Sequence, residues 1–133
     1  MRNINEIIIH CADTRTDQDF SVDDIRSWHK QRGFNDIGYH YYIRLDGKVY
    51  KGRDLNVIGA HCIGHNRNSI GVCFEGGKLP NGNKWDEPMI EQSIAFNELK
   101  TALNIALCKK LKISAHYEYS TKTCPNFNVD IFK

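Results

Sequence analysis

Three side chains far apart in the sequence could together hold a divalent metal ion: His10, His116 and Cys124. His10 comes at the end of the run "NEIIIH" and His116 at the end of "KISAH"; Cys124 follows in "YEYSTKTCPNF". Imidazole and thiolate donors together favour zinc over magnesium or calcium, which prefer oxygen ligands. Three protein ligands leave the fourth tetrahedral position open, the layout of a catalytic zinc rather than a structural one. A plainer alternative stands beside this reading. A histidine at a strand end is more often hydrogen-bonded and idle, and a single cysteine before proline more often belongs to core or loop.

The elements that must position these residues are legible in outline. "NEIIIHC" is a short β-branched run bounded by polar residues and reads as a buried strand. Alternation along a strand sends His10 and its neighbour Cys11 to opposite faces. "SVDDIRSWHKQRGF" reads as a helix: Ser21 and Asp24 form a capping-box pattern, Gly33 is a stop, and Val22, Ile25 and Trp28 make the apolar stripe. His29, beside Trp28, is expected at the surface. "YHYYIRLDGKVYKG" predicts a hairpin with a two-residue type I′ turn at Asp46-Gly47. Extending its alternation puts Tyr39 and Tyr41 on one face, His40 and Tyr42 on the other. Ile70–Phe74 reads as a second buried strand, "KLPNGNKWDE" as a surface loop, Pro88–Leu111 as one long helix, and "KISAHY" as a last short strand. Phe96, Leu99, Leu103 and Leu107 form that long helix's apolar face.

Strands alternating with helices, interrupted by a hairpin, predict an α/β (α+β) single domain over residues 1–133, with a central mixed sheet flanked by helices. At 133 residues with 41% hydrophobic content, the chain can bury a core without disulfides. Five cysteines, at 11, 62, 73, 108 and 124, cannot all pair within one chain and include no CxxC. Apart from Cys124, they read as reduced packing residues of a protein made in a reducing compartment. A net charge of +2 without a basic stripe argues against nucleic-acid binding. No run is long and apolar enough for membrane insertion, and "MRNINEIIIHC" does not read as a signal peptide. Synthesis in the cytoplasm and a monomer are expected.

The blocks "IIIHCADT", "SVDDIRSWHKQRGFNDIGYHYYIRLDGKVYKGRD", "GAHCIGHNRNSIGVCFEGG" and "AHYEYSTKTCPNF", in that order, resemble the zinc-dependent N-acetylmuramoyl-L-alanine amidases. The phage lysozyme type, related to the peptidoglycan recognition proteins, is the nearest likeness, and it covers nearly the whole chain. The resemblance implies one catalytic Zn2+ held by His10, His116 and Cys124, with peptidoglycan as substrate. The bond cut is the amide between N-acetylmuramic acid and L-alanine, as in an endolysin that reaches the cell wall after release or delivery. It also implies catalytic roles for Tyr39 and Lys122. Lys122 is the candidate oxyanion donor, against the ordinary fate of a solvated lysine. Tyr39 would orient water or donate a proton, against the alternative of a core aromatic, and the general base stays open. His61 and Asn66 are candidate substrate contacts, with turn chemistry the alternative for Asn66 and His65. His40 reads as a structural imidazole. In the branch that binds peptidoglycan without cutting it, the cysteine position typically holds another residue, so Cys124 favours catalysis over a binding or regulatory module on the same fold.

Overall fold

The computed structural model describes residues 2–133. Its strands are β1 (Glu6–Cys11), β2 (Thr14–Arg15), β3 (Tyr41–Ile43), β4 (Val49–Lys51), β5 (Ser69–Phe74), β6 (Gly77–Lys78) and β7 (Lys112–Ala115). Five of them form a mixed sheet in the order β4-β3-β5-β1-β7, and β2 pairs with β6 in a small separate ladder. Strand β1 runs parallel to both neighbours, β5 and β7, while β3 and β4 form the antiparallel hairpin. Every residue of β1 and of β5 is buried. That suits their apolar runs, since central parallel strands are covered on both faces.

Two helices cover the sheet, α1 (Val22–Gln31) and α2 (Ile90–Leu107). Ile7, Ile9 and Cys11 pack in one cluster with Phe74, Phe127 and the α2 residues Ala95, Phe96 and Leu103. A smaller cluster joins Ile25 of α1 to Ile37, Tyr42 and Cys73, with Tyr39 packed against it. The expected architecture, a mixed sheet with helices on it, is the one observed. The capping box is also present: Ser21 Oγ accepts from the Asp24 amide, and the Asp24 carboxylate accepts from the Ser21 amide.

Several local expectations are corrected. The hairpin turn is not the two-residue type: Arg44 O accepts from Gly47 N, and Arg44 N donates to Lys48 O. Only Gly47 takes a positive φ, 89°, so a one-residue bulge follows an ordinary turn because Asp46 stays in the favoured region. Helix α2 starts after Pro88 and Met89 and stops at Leu107, because Cys108 turns left-handed (φ 54°) and Lys109 N caps the Asn104 carbonyl. Cys108 is exposed there, unlike Cys11, Cys62 and Cys73. The loop 78–87 is anchored by Trp85, buried against Phe127, its Nε1 donating to Pro125 O across 2.9 Å. Tyr39 precedes β3, so strand alternation does not reach it, and it packs on the same cluster as Tyr42 while Tyr41 packs on the other.

Candidate metal centre and cleft

Sheet register brings the two imidazoles together. Ile9 of β1 pairs with Ala115 of β7, so the next residues, His10 and His116, sit side by side with ring centroids 4.6 Å apart. His10 is fully within β1, which runs one residue further to Cys11, whereas His116 opens a single 3₁₀ turn (His116–Glu118). The Glu118 carboxylate accepts from the Ala115 amide (2.7 Å) and fixes the exit from the strand.

Cys124 is delivered by a loop tied at several points. Its carbonyl accepts from Tyr117 N, the next carbonyl accepts from Trp85, and Asn126 Nδ2 donates to Asp13 Oδ1 and Gly77 O. The Cys11 amide donates to Cys124 Sγ across 3.2 Å.

The candidate ligand atoms of His10, His116 and Cys124 lie within 4.8 Å of one another. Donors around a tetrahedral zinc stand roughly 3.5 Å apart, given bond lengths of about 2.0–2.3 Å, so this set fits the ion with small side-chain shifts. The donor chemistry fits as well. The hydrogen bond with the Cys11 thiol first, then the nearby His10 and His116 rings, hold Cys124 far below the ordinary thiol range, as a thiolate suited to bind a metal. Burial keeps His10 neutral by lowering its pKa.

The centre lies where two depressions meet, of about 510 Å³ and 600 Å³, and Arg32, Tyr39, His116 and Lys122 line both. One arm is largely aromatic and neutral, with His29, Phe34 and Tyr119. The other carries Lys78 and Lys84. Lys122 is exposed at the junction, its amide bonded to Ser120 Oγ. Tyr39 packs between His10 and His29, each ring 5.1 Å away and tilted to it. Burial first, then the neighbouring sulfurs, raise the phenol well above its usual pKa.

A matching family profile, described as N-acetylmuramoyl-L-alanine amidase, spans residues 1–127. The chain belongs to the N-acetylmuramoyl-L-alanine amidase family. The amidase chain is 38% identical over 125 residues to the endolysin of Enterobacteria phage K11, covering 94% of this chain and 82% of that protein. It superposes on the endolysin N-acetylmuramoyl-L-alanine amidase LysCS of Clostridium intestinale with a TM-score of 0.85 at 29% identity, covering 99% and 82% of the two chains. It also matches Drosophila PGRP-LB with a TM-score of 0.80 at 26% identity, over 95% and 76%.

The remaining sequence candidates fall around this amidase centre. His61 is buried, its Nδ1 2.8 Å from His10 Nε2. Asn66 Oδ1 accepts from the amides of both His61 and Cys62 at 2.9 Å, so it braces the loop as well as lining the aromatic arm. His65 stacks on Tyr119, with centroids 3.8 Å apart. His40 is structural: its Nδ1 accepts from Gly71 N and its Nε2 donates to Val57 O. His29 corrects the expectation. It is buried, accepts from Gly38 N at 2.8 Å and lines the aromatic arm, so it joins the cleft-lining residues that sequence reading missed. Its place in the last turn of a capped helix, before a "GFNDIGY" segment that folds back over it, is the signal that could have found it.

Proposed function

We propose that this peptidoglycan-cleaving amidase works through one Zn2+ held by His10, His116 and Cys124, with Lys122 and Tyr39 completing the catalytic set. The observation that carries the reading is the convergence of two imidazoles and a thiol, contributed by positions 10, 116 and 124, at the junction of a two-armed cleft. Zinc bound there would supply Lewis acidity toward the scissile carbonyl and a lowered pKa for water.

The chain's own groups supply the rest. Water adds to the carbonyl carbon between the lactyl group and L-alanine, and an oxyanion develops. Lys122, a compact ammonium at the junction, donates to that oxygen and stabilises the charge most where it is greatest. Breaking the C–N bond requires a proton on the departing amine, and the water gives one up as it adds. Tyr39, with its pKa raised, holds its proton across the neutral range and is suited to donate a hydrogen bond rather than to act as a base. The products are a free L-alanine amino terminus and a lactyl carboxylate. His61 and Asn66 line the aromatic arm, where the substrate would be held beside the bond to be cut.

Residues 1–133 would act as one catalytic domain, as a monomer, on the cell wall after release or delivery from the cytoplasm. Among the described residues no helix is long and apolar enough to cross a membrane.

The test is clearing of a peptidoglycan suspension with and without a chelator, together with mass spectrometry of the fragments. New L-alanine amino termini that depend on zinc are expected. Binding without clearing at full zinc loading would replace the reading with a peptidoglycan-binding module.

A further inference from the structure

The hydrogen bonds behind His10 have a direction that can be assigned. Ser69 Oγ lies 2.7 Å from the His65 carbonyl and 3.2 Å from His61 Nε2. A serine hydroxyl has one proton, and a carbonyl can only accept, so that proton goes to His65 O. Ser69 Oγ is then the acceptor for His61 Nε2–H. With both buried rings neutral, His61 Nδ1 carries a lone pair and accepts from His10 Nε2–H across 2.8 Å. His10 Nδ1 is left with its lone pair, the one nitrogen of that ring free to ligate.

The surroundings hold His61 in that role. Its ring lies against two glycines: a Cβ at Gly71 would come within 2.6 Å of the ring, and one at Gly59 within 2.8 Å. Its backbone amide is pinned by Asn66 Oδ1. Ser69 is fully buried and does not line the cleft, so whatever it does at the centre it does through His61.

We propose that Ser69 and His61 form a positioning relay that locks His10 in the Nε2–H tautomer and presents Nδ1 to the metal. Outer hydrogen bonds of this kind orient a ligating imidazole and raise its basicity, and their loss typically costs about 10–100-fold in metal affinity or activity. The inference rests on the zinc reading above, but the relay can be read without metal.

The experiment has two arms on the full chain. In metal-free protein, 15N imidazole spectra should show His10 and His61 each protonated at Nε2 and bare at Nδ1. In Ser69→Ala, the His61 tautomer should become mixed, and zinc affinity, measured by competition with a chromophoric chelator, should fall by about tenfold or more while KM changes less than kcat. Ser69→Thr should restore zinc affinity. A wild-type His10 protonated at Nδ1, or a folded Ser69→Ala protein with unchanged zinc affinity, overturns the relay while leaving zinc catalysis standing. Correct tautomers in a wild-type protein that takes up no zinc overturn the metal reading, and with it the relay's purpose.

Discussion

The amide nitrogen of Cys11 is aimed at the sulfur of Cys124, 3.2 Å away. A residue from the first strand of the sheet thus stabilises negative charge on a side chain contributed by the last loop. The thiol of Cys11, hydrogen-bonded to that sulfur and buried, is pushed up in the opposite direction. The pair divides its labour: Cys124 carries the negative charge, and Cys11 remains protonated.

Cys124→Ser tests that division. A serine hydroxyl in the same place does not ionise near neutrality, so zinc affinity is expected to drop by on the order of 100-fold or more, and clearing to vanish. Zinc content by elemental analysis, with circular dichroism to verify the fold, is the measurement. Retention of one zinc per chain would remove Cys124 from the ligand set.

Lys122→Ala separates metal binding from charge stabilisation. The side chain is exposed and carries no packing role, so the fold and zinc stoichiometry should be unchanged. Loss of one oxyanion donor is expected to lower kcat about 100-fold, with a smaller effect on KM. Unchanged turnover would end the role assigned to this lysine.

Tyr39→Phe keeps the ring that packs between His10 and His29 and removes only the hydroxyl. A drop in kcat of about tenfold or more is expected. Because the phenol is raised well above its usual range, wild-type and variant pH–rate profiles should share the same limbs up to pH ~9. A fully active variant would place the hydroxyl outside the chemistry.

Acid should weaken the fold through His40. Burial, its first cause, lowers this ring from 6.5 to about 4, and both nitrogens are already committed, one as acceptor and one as donor. The unfolded chain therefore binds more protons between those two values. The stabilisation is full above pH ~6.5 and is lost as pH falls toward 4. Between pH 7 and pH 5 this one group should cost about 2 kcal/mol. Denaturant titrations of the wild-type protein and His40→Gln at both pH values are the test: a similar pH slope in the two proteins would contradict it.

What the sequence made legible was whatever local pattern decides. The isoleucine run of β1, the capping box at Ser21 and Asp24, and the hairpin over residues 39–52 all depend on neighbours within a few positions. Ser69, His61 and His10 do not: they meet only because β5 lies beside β1, and no spacing encodes that adjacency. His29 was misplaced for a related reason. A helix pattern gives the face that is apolar, but not the loop, here Phe34–Tyr39, that folds back to cover a polar residue. Trp85 was hidden by the Gly, Asn and Pro around it, since turn composition describes the backbone and says nothing of one aromatic side chain reaching inward. Tyr39 was assigned to the wrong face because alternation was carried past the residue where the strand begins.

The proposed ligands, at positions 10, 116 and 124, are far apart along the chain. A growing chain on the ribosome therefore lacks the proposed centre until Cys124 has emerged and the sheet has closed around it. Fragments cut between these positions would carry at most part of the ligand set. Under that reading, ion capture would act as a proofreading of folding, and wall-cutting power would arrive all at once.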